Sequence, residues 1–205
     1  MKNIMITNKI NDEQKKEVAR LYYQAFTKKF NYLWFFTKEE EKAFQVLARS
    51  LQYNYGLYAL EGNKVLGFIG LNKKNETFFP AIYTSFTKAF GVIGGTWRYV
   101  GFGIYRLTKE SLDTKTLYID PVVVSAEARG MGIGTKLFDS TIELSKQLKL
   151  NYVTLDVVDT NPKAKKLYEK LGFKVLKEGN TKWITKKAGF EKYFHMKKNI
   201  LIEND

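Results

Sequence analysis

Arg129-Gly130-Met131-Gly132-Ile133-Gly134 is the stretch from which this chain is best read. Three glycines alternate with larger residues, just after an apolar run and just before a helical pattern. Glycine lets a backbone curl close to a ligand, and the helix start that follows points unpaired N–H groups at it. A strand, a glycine turn and a helix in that order make an anion site. Two phosphate loops can be tested here. The dinucleotide fingerprint needs a third glycine where Thr135 stands, and the P-loop ends Gly-Lys-Ser/Thr where this turn ends Gly134-Thr135-Lys136. Both fail.

Working outward, Leu117 to Val124 reads as an apolar strand interrupted by Asp120-Pro121. Downstream, Ile133, Leu137, Leu144 and Leu148 line one helical face, with Phe138 and Ile142 beside them. Tyr152 to Val158 is nearly continuous and β-branched, as in a strand covered on both faces. Asn161-Pro162 opens a helix whose face is Ala164, Leu167, Tyr168 and Leu171, and Gly172 closes it. Phe173 to Leu176 and Tyr193 to Met196 read as the last strands. Upstream, Ile4 to Ile6 is a short strand and Asn11 caps a helix running to about Phe26. A second helix starts after Thr37, with Glu39, Glu40 and Glu41 at its positive end. Tyr55 to Leu60 and Val65 to Leu71 form a hairpin around Glu61-Gly62-Asn63-Lys64. The aromatic segment Lys73 to Thr114 reads as two helical pieces broken near Gly94-Gly95.

The pattern that does fit the turn is Arg/Gln-x-x-Gly-x-Gly/Ala, filled by Arg129, Gly132 and Gly134. Here the chain resembles the GNAT superfamily of acyl-CoA-dependent N-acyltransferases. Leu117 to Val124 looks like that family's fourth strand, and Asn161 to Phe173 like its "Asn…Ala…Leu-Tyr…Gly-Phe" helix. One departure is Ala126, where the family often has proline. The resemblance implies an α/β fold: a central twisted mixed sheet flanked by helices, with a helical insertion at 73–114 between the third and fourth strands. It also implies one domain over residues 1–205, with 117–173 as the acetyl-CoA-binding core.

It implies roles as well. The amides of Gly130, Met131, Gly132, Ile133, Gly134 and Thr135, next to Arg129, would cradle the CoA pyrophosphate. The Val124 backbone would pair with the pantetheine arm. The Val122 amide would polarise the thioester, if the neighbouring strand splays away there. Tyr168 would protonate the departing thiolate, a phenol near pKa 10 being able to serve a thiolate of conjugate acid near 8.5. Position alone favours a core tyrosine, since Tyr168 lies on the apolar stripe of its helix. Asn161 reads either as a ligand of the pantetheine or as a helix cap. Asp120, two residues before Val122, is expected on the same side of the strand. It is a candidate base, or a strand-bend aspartate beside Pro121. The single histidine, His195, titrates in a useful range as a residue type, but its place on a terminal strand reads as structural.

Composition bounds the rest. Hydrophobic residues make up 44% of the 205 and aromatics 15%, enough for a packed core. The chain has no cysteine, which excludes disulfides, zinc-thiolate sites and thiol nucleophiles, and fits a cytoplasmic setting. One histidine excludes a multi-histidine metal site, so no metal is expected. The formal charge of +13 invites a nucleic-acid reading, but the lysines are scattered and no binding motif accompanies them. No signal peptide or membrane span is read, and neither nucleic acid nor membrane is expected as a partner. The expected function is transfer of the acetyl group of acetyl-CoA to a primary amine on a small molecule, peptide or protein, by a monomer or homodimer. The alternative is a non-catalytic acetyl-CoA sensor or scaffold. The aromatics of 73–114 could wall the acceptor pocket, add to the core or form a dimer contact.

Overall fold

In the computed structural model, residues 4–107 and 112–200 are described. Seven strands form one sheet in the order β1-β2-β3-β4-β5-β7-β6. They are β1 Ile4–Thr7, β2 Gly56–Glu61, β3 Lys64–Asn72, β4 Thr116–Val124, β5 Tyr152–Val158, β6 Lys174–Asn180 and β7 Lys192–Asn199. Among the described residues, only β4 and β5 run parallel; every other neighbouring pair is antiparallel. Helices α1 Asp12–Lys29, α2 Glu40–Ser50 and α3 Tyr83–Leu107 cover one face. Helices α4 Ile133–Gln147 and α5 Pro162–Lys170 cover the other. No helix among the described residues is long and apolar enough to cross a membrane.

Local chemistry explains the helix starts. Asn11 and Gln14 exchange side-chain and backbone hydrogen bonds of 2.9 Å at the head of α1, satisfying two of its orphan donors. α1 runs past the expected end. Phe26 leaves helical geometry, with φ −126 and ψ 26, but the chain recovers and continues into a π-helical turn, Phe30–Trp34. The reason is aromatic packing. Tyr22, Phe26, Phe30 and Trp34 meet at centroid distances of 4.9 to 6.3 Å, and a regular helix would not bring all four together.

The segment between β3 and β4 corrects the expected break. The chain reverses at Gly91, whose φ of +75 and ψ of 171 suit glycine, and not at Gly94-Gly95. Gly95 has a different task. The two halves of α3 fold back on each other, bringing the Tyr83 and Tyr99 rings to 5.4 Å and those of Phe86 and Phe102 to 6.0 Å. A Cβ on Gly95 would come within 2.6 Å of the Phe86 and Thr87 backbone. Gly95→Val is therefore expected to destabilise the protein by about 1–3 kcal/mol, as overpacking against rigid backbone does. Thermal unfolding checks this; an unchanged Tm contradicts the close crossing. The expected insertion at 73–114 also spans residues 108–111, which lie outside the described residues.

In α4 the buried face is Ile133, Leu137, Phe138, Thr141 and Ser145. Leu148, expected on it, is 44% exposed because the helix ends at Gln147. The two polar members bond back one turn, Thr141 to the Leu137 carbonyl and Ser145 to that of Thr141, both at 2.8 Å. Between β6 and β7 lies a short helix the sequence reading missed, α6 Lys182–Thr185, followed by a 3-10 turn at Lys186–Ala188.

Candidate active site

The sheet opens in its middle. β4 and β5 pair from Thr116↔Tyr152 to Ile119↔Leu155 and no further, although both strands continue. On its other edge β4 keeps its partner, with Ile69↔Val122, Phe68↔Val123 and Gly67↔Val124 in register. The Ser125 N–H donates to the Leu66 carbonyl at 2.9 Å, so that opposite pair is a bonded one. Bonded and non-bonded pairs alternate along an antiparallel ladder. Val123 therefore bonds to β3, while the N–H and C=O groups of Val122 and Val124 turn the other way, into the gap that β5 has left. The splay on which the Val122 role depends is present.

An irregularity in β4 sets up this geometry. Ile119 lies opposite Leu71 and Val122 opposite Ile69, so β4 spends three steps where β3 spends two. The extra residue falls at Asp120-Pro121, a cis peptide bond. Buried Asn72 holds it. Its Nδ2 donates to the Tyr118 and Asp120 carbonyls at 3.2 and 3.1 Å, and its Oδ1 accepts from Thr77 Oγ1 and the Phe78 N–H. A bulge reverses side-chain parity, which corrects the expectation that Asp120 and Val122 share a side. Val122 packs with Ile69 and Ile119 toward α4 and α5. Asp120 lies with Tyr118 on the α3 side, where it opposes the burial that pulls the Arg106 guanidinium below its usual pKa.

The glycine turn sits at one end of the gap. After a 3-10 turn at Ala126–Ala128, Arg129 is exposed and extended, Gly130 has φ +79 and Gly132 has φ +75. Gly132 is the N-cap of α4 and no side chain caps that helix. The first intrahelical bond there runs from the Lys136 N–H to the Gly132 carbonyl at 3.1 Å. The amides of Ile133, Gly134 and Thr135 therefore head the helix without intrahelical acceptors, which is the arrangement that binds phosphate oxygens. Met131 projects outward, 44% exposed. Gly134 allows close approach to α5, since a Cβ there would meet Leu167 Cδ2 at 3.4 Å.

Tyr168 comes from α5. It is buried, with its ring 5.2 Å from Phe138 and 6.2 Å from Phe173. Desolvation pushes its pKa above the ordinary phenol value, so the hydroxyl is a weaker acid than a free phenol and stays protonated well above neutral pH. Asn161 is the N-cap of α5, its Oδ1 accepting from the Ala164 N–H at 3.2 Å. That meets the capping reading of Asn161, which also borders a cavity on the side of α1 and α3.

On the side of α1 and α3 lies a cavity of about 930 Å³ that reaches into the gap. Tyr22, Trp34, Phe79, Phe102 and Tyr105 wall it, and Asp120, Val122, Asn161 and Tyr168 border it. The aromatic insertion thus supplies both core, through Phe78 and Phe86, and wall, through Phe79, Phe102 and Tyr105. Sequence reasoning missed three residues on this cavity: Tyr118, Asp156 and Asn72. A carboxylate within the apolar run Tyr152–Val158 was the available signal for Asp156. Among the described residues no group of three or more acidic, histidine or cysteine side chains could hold a metal ion.

Comparison with known proteins agrees with this architecture. A family model described as "Acetyltransferase (GNAT) family" matches residues 16–173. Thialysine N-epsilon-acetyltransferases of Bos taurus and Sus scrofa are 32% and 33% identical over 79 residues, 38% of this chain. The match spans 46% of each of those relatives, about half their length. Among solved structures, an N-acetyltransferase from Staphylococcus aureus Mu50 superposes with a TM-score of 0.65 at 19% identity, covering 95% of this chain and 100% of that one. The Salmonella typhimurium protein yncA, solved with its cofactor acetyl-CoA, gives 0.61 at 15% identity, covering 99% and 97%.

Proposed function

The chain belongs to the GNAT family of acetyltransferases, and from that premise we propose that it transfers the acetyl group of acetyl-CoA directly to a primary amine. The observation that carries this reading is the opened sheet. It turns the Val122 and Val124 backbone toward a gap bounded by the α4 N-terminus, Tyr168 and the cavity.

The residues fit acetyl-CoA. The turn offers the Ile133 to Thr135 amides and a helix N-terminus to the pyrophosphate, while the Met131 N–H, expected among them, donates instead to the Ala128 carbonyl at 3.3 Å. Gly130 and Gly132, at positive φ, keep side chains off that surface. Val124 offers an N–H and a C=O to the amides of the pantetheine, as a strand edge would. The Val122 N–H is aimed where negative charge develops on the thioester oxygen, and a fixed donor there needs no reorganisation during the reaction. Tyr168, a phenol and so protonated at neutral pH, supplies the proton that the leaving thiolate, poorly solvated in the gap, needs. Asp120, at the start of the gap on the cavity side, serves the acceptor amine as a charge partner. Asn161 keeps α5, and with it Tyr168, in place.

The test is release of free thiol from acetyl-CoA over a panel of amines ranging from anilines to alkylamines and lysine-like compounds. Acceptor-dependent release with formation of the N-acetyl product supports the reading. Tight acetyl-CoA binding with no turnover on any amine sinks it and favours a sensor.

A further inference from the structure

The parallel register that ends at Ile119↔Leu155 places Asp120 opposite Asp156 as the first residues beyond the pairing. Asp156 is the more elaborately held of the two. Its Oδ1 lies 2.7 Å from His195 Nδ1, and its Oδ2 accepts the Tyr118 hydroxyl at 2.9 Å. The three side chains come from β5, β7 and β4. His195 is the register partner of Asp156, and all three border the same cavity as Asp120, Val122 and Tyr168. The His195 and Asp156 side chains are 18% and 19% exposed, sheltered but open to the cavity.

A half-buried carboxylate bonded to Nδ1 fixes the ring and its tautomer. In the neutral ring, a carboxylate that can only accept at Nδ1 leaves the hydrogen there and the lone pair on Nε2. When Nε2 takes a proton, the charge that forms lies beside a carboxylate already oriented by Tyr118. Such a dyad is a proton acceptor held ready, and core packing alone gives no reason to place its charge at the apex of the gap. Other charged and titratable groups surround it. Lys177 lies opposite His195 in the β6 register, Tyr193 and Lys197 flank it two residues away on β7, Asp120 faces from β4, and Arg106 lines the cavity from α3.

We propose that His195, oriented by Asp156, is the base that deprotonates an alkylammonium acceptor, so that the substrate class is an aliphatic amine that arrives protonated. This rests on the transferase reading above. Nε2 takes one proton from the ammonium and passes it to solvent. The freed nitrogen lone pair forms the C–N bond to the thioester carbonyl carbon, and the C–S bond breaks. The thiolate receives the Tyr168 proton, and the second proton lost by nitrogen restores the phenol. One ammonium and one thioester give one amide, one thiol and one proton. His195 touches the reacting nitrogen in this scheme, whereas Asp156 and Tyr118 are positioning residues.

The experiment compares wild type, His195→Gln and Asp156→Asn at pH 7 on two acceptor classes, alkylamines that are protonated and anilines that are already neutral. His195→Gln is expected to lower kcat/KM about 100-fold on alkylamines and to leave anilines within about 3-fold. Asp156→Asn should show the same split with a smaller loss. A structural role would lower both classes alike, so equal losses overturn the proposal, as does an unchanged rate on alkylamines. Thermal unfolding and acetyl-CoA affinity, measured on the same variants, separate misfolding from lost chemistry. If His195→Gln does not fold, the split in Asp156→Asn decides. Wild type inactive on every amine overturns the transferase reading itself, and this proposal with it.

Discussion

Replacing Gly132 with glutamate is expected to abolish measurable acetyl-CoA binding while leaving a folded protein. Two effects combine. Gly132 has φ +75, a conformation that costs an L-residue about 1–2 kcal/mol. A Cβ there meets nothing within 4 Å, so the fold itself has room for the side chain. That room is the proposed pyrophosphate site, and a carboxylate placed in it opposes the ligand's charge and competes for the Ile133 to Thr135 amides. Gly132→Ala is the control. It carries the backbone strain without the charge, and should lower stability with a much smaller loss of affinity. Isothermal titration with acetyl-CoA on both variants checks this. Equal affinities for Gly132→Glu and wild type would place the cofactor elsewhere.

The second large effect is expected at Tyr168. Tyr168→Phe removes one oxygen and keeps the ring that packs on Phe138 and Phe173, so the core should hold. The phenol is the proposed proton donor, and its loss leaves a poorly solvated thiolate without one. The expected result is a fall in kcat of about 1000-fold, with acetyl-CoA affinity within a few-fold of wild type. Stopped-time thiol assays and equilibrium binding measure the two separately. A variant with normal kcat would return Tyr168 to the core. Unlike loss of His195, this loss should not depend on whether the acceptor arrives protonated, because the thiolate leaves in every case.

How far the sequence reached can be judged residue by residue. Gly132 and Gly172 were readable because positive φ restricts residue type, and Asn11 and Asn161 because a helix N-terminus needs an acceptor. Each is a local requirement carried by adjacent residues. The break expected near Gly94-Gly95 falls at Gly91 because the difference between a reversal and a close crossing lies in what packs across from the glycine, Phe86 and Thr87 at Gly95. Asp120 was placed on the wrong side because alternation holds only while the strand is regular. The bulge that interrupts it is held by Asn72, 48 positions away from Asp120. The Tyr118, Asp156 and His195 cluster joins three strands that are distant in sequence, so it becomes visible only when the sheet order is known. The glycine turn was legible because its amides come from consecutive residues.

The opening between β4 and β5 also bears on how this protein holds together. In the proposed complex the pantetheine arm runs beside Val124 as an added sheet element, bonding backbone that the protein itself does not pair there. A ligand that binds only the native state stabilises it by RT ln(1 + [L]/Kd), about 2.7 kcal/mol at a hundredfold excess over Kd. The acyl donor is then part of the sheet's structural completeness as well as a reactant. Resistance to unfolding would rise and fall with the supply of acetyl-CoA around the protein.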